Sequence, residues 1–179
     1  MMFWSTVRTT RFPPPQTACA YTPDMPVDAA THRLLAVEAN NSTWEYLGRD
    51  AGDLSESDAG EMTRRAYAAA YHWARAEGTG PANEARAEWL LARVWVARGN
   101  GAVAHAHAAR CLALCGQHGL VDFDLAYAHE ATARALACLG KNAEARDHLQ
   151  SARNVHVADP QDKAQVDSDL AAGPWFGLG

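Results

Sequence analysis

The sequence predicts an all-α protein in which antiparallel helical hairpins stack on one another. The first observation is composition: alanine dominates the 179 residues, isoleucine is absent and valine is sparse. Alanine loses no side-chain entropy in a helix, whereas β-branched residues favour strands. The second is apolar residues that recur at three- and four-residue spacing, and the third is the capping or breaking residues between the periodic stretches. We expect about three hairpins and a terminal helix.

The first 26 residues differ from the rest of the chain. They show no helical period and contain five prolines, at Pro13, Pro14, Pro15, Pro23 and Pro26. Prolines at this density remove backbone donors and keep a segment extended. We interpret residues 1–26 as a flexible proline-rich leader and residues 27–179 as the helical domain. A ligand for a proline-binding domain is the alternative, which the spacing of the prolines disfavours.

The first predicted hairpin follows the leader. Its first helix covers residues 27–47, where apolar residues recur at helical spacing, and Gly48 ends it. Ser55 then caps the second helix, with Asp58 three residues later as a variant of the capping box. This helix extends to about Ala76.

Two further hairpins and a terminal helix complete the expected order. The four helices of these hairpins cover about 81–98, 102–115, 123–139 and 142–158. The first of them is apolar almost all round, as in a helix between two neighbours, and we expect its Trp95 in the core. Gly116 and Gly119 are expected to break the second, and Asn142 to cap the fourth. Asp159 and Pro160 open the terminal helix, after which the tail GPWFGLG folds back to cover its two aromatic rings.

Two of these hairpins share one pattern. They read EARAEWLLARVWVARGNGAVAHAHAARCLALC and LAYAHEATARALACLGKNAEARDHLQSARNV, with Gly99 and Gly140 at corresponding positions 41 residues apart. Small and apolar residues recur under this offset. The pattern resembles the tetratricopeptide (TPR) repeat, a helix–turn–helix unit. The stretches YHW, ARAEWLL and DFDLAYAHEA resemble a group of bacterial TPR-like proteins, which implies no particular activity.

The resemblance to the TPR fold implies a concave groove lined by the first helix of each pair. Its lining would be Arg86, Trp89, Arg93, Tyr127, Glu130 and Arg134. Arg93 and Arg134, again 41 residues apart, suit a carboxylate or an acidic segment, so we expect a protein or peptide partner with acidic ones favoured. The alternative is that Arg134 uses its charge in a pair with Glu130, four residues before it.

Catalysis and metal binding have less support in the sequence. His129 and Glu130 begin like the HExxH zinc motif, but the second histidine is missing. His107, Cys111 and Cys115 lie one turn apart on a single helix face and are the alternative metal ligands, in a ligand- or metal-sensing domain that uses inter-helix His, Glu and Cys side chains. Because no nucleophile stands in a catalytic motif, we expect a non-enzymatic protein without a cofactor.

Composition also narrows the class of partner and the compartment. The net charge is −5, with arginines scattered singly, so no basic face for nucleic acid is expected. No apolar run approaches the roughly 20 residues that span a bilayer. The four cysteines form no CxxC pair and are typical of buried thiols in a reducing compartment, so we expect a cytoplasmic protein. A homo-oligomer is compatible with these features.

Overall fold

The computed structural model describes residues 27–49 and 53–178. Over this part of the chain there are helices and no strands, so the predicted all-α class is confirmed. The helices are α1 Ala29–Leu47, α2 Glu56–Trp73, α3 Pro81–Ala97, α4 Gly101–His118, α5 Asp122–Cys138, α6 Asn142–Asn154 and α7 Pro160–Ala171. The leader predicted at 1–26 lies outside the described residues. No helix within them is long and apolar enough to cross a membrane.

Helices that follow one another along the chain pack together. α1 packs on α2, α3 on α4 and α5 on α6, which gives three hairpins, and α2 and α4 each pack on the helix that follows them. The first helices of the pairs also touch, α1 with α3 and α3 with α5. α7 packs on α5 and α6 at the end of this row. The odd-numbered helices α1, α3 and α5 therefore lie side by side.

Small side chains allow the helices to approach closely. One of the two buried clusters between α3, α4 and α5 is mostly alanine: Ala92, Ala104, Ala108, Ala131 and Ala135 are all fully buried in it, together with Val96. A methyl group fills little space, so the helix backbones come near enough to exclude water without long side chains. Trp95, expected in the core, packs against this cluster but is only partly buried.

The starts of α2 and α7 follow the predicted capping chemistry. The Ser55 side chain accepts a hydrogen bond from the backbone N–H of Asp58 at the start of α2. The Asp159 side chain accepts from the N–H groups of Gln161 and Asp162 before α7, and Pro160 occupies the first turn. These side chains satisfy backbone donors that the helix itself leaves unpaired.

Several helix boundaries differ from the predicted ones. α2 ends at Trp73 rather than at about Ala76, and α6 ends at Asn154 rather than at about residue 158. α4 continues through Gly116 to His118, and Gly119 ends it in the left-handed conformation with φ 64°. A glycine inside a helix costs only about 1 kcal/mol, which the burial of neighbouring residues offsets. Asn142 does not cap α6: it lies in the first turn, and its side-chain oxygen is buried without a hydrogen-bond partner among the described residues.

The tail after α7 folds back onto the helices, but only one of the two aromatic residues predicted to be covered is packed against them. Trp175 packs against the residues that α5, α6 and α7 bury together. Leu178 is buried as well. Phe176, in contrast, remains 44% exposed.

Candidate functional site

A cavity of about 190 Å³ opens where α1, α3 and α5 lie side by side. Residues from all three helices line it, together with Cys111 of α4: they are Asn40 and Trp44 from α1, Ala85, Arg86 and Trp89 from α3, and Phe123, Asp124 and Tyr127 from α5. Three of the six residues predicted for the groove, Arg86, Trp89 and Tyr127, are therefore brought together here. An apolar cavity of about 150 Å³ accommodates a benzene ring, so this space admits a side chain.

Aromatic rings form a continuous row along this surface. The ring centroids of Trp44 and Trp89 lie 5.3 Å apart, and those of Trp89 and Tyr127 lie 4.7 Å apart. Phe123 extends the row, with its centroid 6.4 Å from that of Tyr127. Such distances are typical of attractive aromatic pairs. Because each helix contributes at least one ring, the row crosses the groove rather than following a single helix. We call Trp44, Trp89, Tyr127 and Phe123 the aromatic row.

The guanidinium of Arg86 is already paired. Its Nε and Nη2 donate to the two carboxylate oxygens of Asp124 at 2.7 and 3.0 Å. The same guanidinium lies over the ring of Phe123, 4.9 Å from the centroid. The hydrogen bond to Asp124 raises the pKa of Arg86 above its ordinary value. This bidentate pair neutralises one rim of the cavity.

Arg93 is paired as well, at the other side of the aromatic row. Its Nη1 donates to Oε1 of Glu130 at 2.7 Å, and the Arg93 side chain is only 15% exposed. The guanidinium also lies 5.8 Å from the ring centroid of Trp44 and 5.9 Å from that of Trp89. Its charge is therefore directed at a carboxylate and two ring faces of the same chain.

Glu130 and Arg134 lie inside the protein rather than on the groove surface. Both are fully buried, and they are hydrogen-bonded to each other. Glu130 also accepts from the indole N–H of Trp89 at 3.0 Å. Desolvation lowers the pKa of Arg134 from its ordinary value. The i,i+4 pair, given above as the alternative for Arg134, is the arrangement found.

α7 and the tail explain why Arg134 is buried. Its guanidinium donates to the backbone oxygens of Asp169, Ala172 and Pro174, and Trp175 lies over it with its centroid 4.1 Å away. Arg93 is the equivalent residue on α3, and its side chain is 15% exposed because α7 and the tail pack on α5 rather than on α3. The groove therefore occupies α1, α3 and the first turns of α5, and it stops where α7 packs on α5.

The alternative metal ligands do not converge. His107 Nδ1 is 2.6 Å from Oε2 of Glu88, and its Nε2 is 3.1 Å from the Tyr67 hydroxyl. Cys111 and Cys115 are buried, and the hydrogen bond between them together with burial raises the pKa of the Cys111 thiol. Across residues 27–49 and 53–178, no three His, Cys, Asp or Glu side chains form a group that could hold a metal ion.

Histidines do link the helices of two hairpins directly. The Nδ1 atoms of His32 and His72 lie 2.7 Å apart, between α1 and α2. Those of His129 and His148 lie 3.1 Å apart, between α5 and α6. In each contact the Nδ1 of one histidine must carry a proton and donate it, while the Nδ1 of the other must be unprotonated and accept.

Asn40, Trp44, Phe123 and Asp124 also line the cavity, although none of them was predicted as a groove residue. Phe123 was detectable, because it precedes Tyr127 by four residues and so shares its helix face. Asn40 and Trp44 belong to the first hairpin, for which the 41-residue offset supplies no register.

In comparisons with known proteins, no family, curated protein or solved structure matches this chain.

Proposed function

We propose that this chain is a non-enzymatic, TPR-like helical protein that binds an extended segment of a protein or peptide partner. The observation that carries the proposal is the cavity between α1, α3 and α5 with its row of aromatic rings. Aromatic residues supply large contact areas at a low cost in conformational entropy, and they are enriched in binding surfaces. The resemblance to the TPR repeat adds support, since it implies a groove on the same helices.

The charges favour a ligand with an uncharged, apolar anchor residue over an acidic one. Arg86 is neutralised by Asp124, and Arg93 by Glu130. An acidic ligand would have to displace these carboxylates, and the separated charges would each lose a hydrogen-bonded partner. An apolar side chain entering the aromatic row leaves both pairs intact. The acidic partner favoured by the sequence is therefore not the one that we propose.

Site-specific photocrosslinking tests the proposal. A photoreactive residue in place of Asn40 sits at the cavity, and the same residue in place of the exposed Ala109 on α4 sits outside it. We expect a partner polypeptide to be captured at position 40 and not at position 109. Trp44→Leu, which keeps an apolar contact but removes a ring, should reduce that capture at least tenfold. Equal capture at the two positions would contradict the proposal.

We also propose the cytoplasm as the compartment. Cys111, Cys115 and Cys138 are free thiols, although the first two lie one helical turn apart. Thiols that remain reduced are typical of a cytosolic environment. Cell fractionation followed by immunodetection measures this directly, and recovery of the protein in a secreted or membrane fraction would argue against it.

A further inference from the structure

We propose that copies of this chain associate head to tail, so that the outer face of α1 in one copy docks beside α6 and α7 of the next. The inference goes beyond the proposed function, because it uses residues outside the cavity between α1, α3 and α5. It rests on two surfaces at opposite ends of the row of helices that match in charge and in spacing.

A second cavity, of about 420 Å³, lies between α6, α7 and the tail. Its lining is mostly apolar and comprises Leu149, Leu170, Ala171, Trp175 and Leu178, together with Gln150. Arg146 and Arg153 border it from α6, and both are exposed. They are seven positions apart, which places them on one face of the helix, about 10 Å apart along its axis. We call this surface the basic cavity.

The outer face of α1 carries the opposite charge at the same spacing. Glu38 and Glu45 are also seven positions apart, and both are exposed. Asn41 lies between them on the same face, and Leu34, one turn before Glu38, is 72% exposed. A leucine that remains in water forgoes the stabilisation that burial of its side chain provides. We call these four residues the acidic face.

The charged groups of both surfaces are available to a partner. The ion pairs within the described part of the chain involve none of Glu38, Glu45, Arg146 and Arg153. The two arginines that flank the aromatic row, by contrast, both have carboxylate partners. A carboxylate that reaches the basic cavity therefore forms charge-assisted hydrogen bonds without breaking existing ones.

Equal spacing lets two ion pairs form at the same time. Because each pair of charges is separated by seven positions on a helix, both glutamates of one copy can meet both arginines of the next, whichever way α1 runs along α6. Leu34 lies beside these pairs and leaves water as the surfaces close. Contact between two α1 helices would instead bring the glutamates of both copies together, so charge disfavours a two-fold dimer.

The packing inside one copy indicates how such docking continues the row of helices. α3 packs on both helices of the preceding pair, α1 and α2. α1 of the next copy would rest on α6 and α7 in the same manner. Repeat units bury apolar surface by stacking on their neighbours, and a contact between two different surfaces leaves one of each free at the ends. Association is therefore open-ended unless the rotation between copies closes a ring.

Sedimentation velocity of the full chain tests the inference. We expect species larger than the monomer, whose share rises with protein concentration and falls with added salt, because salt screens exposed ion pairs. Charge reversal of the acidic face, Glu38→Arg with Glu45→Arg, should move association to at least tenfold higher concentration. Reversal of the basic cavity, Arg146→Glu with Arg153→Glu, should do the same. Arg110→Glu, on α4 and outside both surfaces, should leave association unchanged.

A mixture of the two double variants separates loss of the contact from damage to the fold. In the mixture the arginines introduced on α1 meet the glutamates introduced on α6, and the unchanged surfaces also match. We expect association to return to the level of the wild-type chain. A wild-type chain that is monomeric at every concentration, association that persists when the basic cavity is reversed, or a mixture that stays monomeric would each overturn the inference.

Discussion

Glu130 connects the groove to the interior of the protein. Its carboxylate accepts hydrogen bonds from Trp89, Arg93 and Arg134 while being fully shielded from solvent. A buried carboxylate is tolerated when cations and donors satisfy it. Glu130 carries one negative charge, whereas Arg93 and Arg134 together carry two positive charges. Backbone oxygens that accept hydrogen bonds from Arg134 balance the second of these. The network thus holds Trp89 in the orientation that the aromatic row requires.

Removing the charge of Glu130 should be strongly destabilising. In Glu130→Gln two guanidinium groups lose their carboxylate, and one of them is fully buried. We expect the free energy of unfolding, measured by urea denaturation, to fall by about 3–5 kcal/mol. The control is Glu84→Gln, whose partner Arg110 is exposed, with an expected loss below about 1 kcal/mol. Similar losses in both variants would contradict the buried network.

The start of α4 touches the end of α5. A Cβ atom added at Gly101 would lie 2.9 Å from Cγ of Leu139 and 3.1 Å from the backbone carbon of Cys138. The second of these atoms belongs to the backbone and cannot rotate away. Gly101 is therefore required by the close approach of two successive hairpins.

Two glycines of α4 should respond to alanine in opposite directions. Gly101→Ala should lower the free energy of unfolding by about 1–3 kcal/mol, because the methyl group overpacks the contact with α5. Gly116→Ala should raise it by about 0.5–1 kcal/mol, since open space surrounds that position and alanine favours the helix. Urea denaturation of the two variants measures both effects. Stabilisation by Gly101→Ala would show that α4 and α5 are farther apart.

The attachment of α7 depends on Trp175 and Arg134. The Trp175 ring lies over the guanidinium, which in turn holds three backbone oxygens of α7 and the tail. Trp175→Ala should accelerate amide hydrogen exchange in α7 and leave α1 and α2 unchanged, because local unfolding is confined to elements that lose contacts. We expect a loss of stability of about 1–3 kcal/mol. Unchanged exchange in α7 would show that this stacking does not hold the helix.

A histidine-containing pair bridges the two helices of every hairpin in the described part of the chain. These pairs are His32–His72, Glu88–His107 and His129–His148. The last two are related by the 41-residue offset, since both members shift by that number. The polar contact between the two helices thus recurs at the same place in both hairpins. In the first of them it joins a carboxylate and an imidazole, and in the second it joins two imidazoles.

Acid should destabilise the protein below about pH 6.5. Burial is the main cause that lowers the pKa of both His129 and His148 from the ordinary value of 6.5. On acidification the unfolded chain therefore takes up protons first, so stability is full above pH 6.5 and declines as the pH falls below it. Urea midpoints at pH 7.5 and 5.5 measure the decline, which His148→Gln should reduce. A midpoint that rises on acidification would contradict this sign.

The sequence determined the helices and the offset between two hairpins. Local chemistry is sufficient for these features: alanine-rich periodic stretches form helices, and Ser55, Asp159 and the glycines mark their ends. The resemblance to the TPR repeat also implied that Arg86, Trp89 and Tyr127 line one groove, and all three border the cavity. Gly116 shows the limit of local reasoning, since a helix passes through a weak breaker when its flanking residues are buried.

Only the tertiary structure decided which equivalent residues face the groove. Trp89 and Glu130 occupy corresponding positions, as do Arg93 and Arg134. Trp89 borders the cavity and the Arg93 side chain is 15% exposed, whereas Glu130 and Arg134 are fully buried. The difference arises because α7 and the tail cover α5, whereas α3 lies next to α1 and leaves a space between them. The exposure of a side chain depends on what packs over it, and a repeated sequence pattern carries no information about a neighbour that occurs only once.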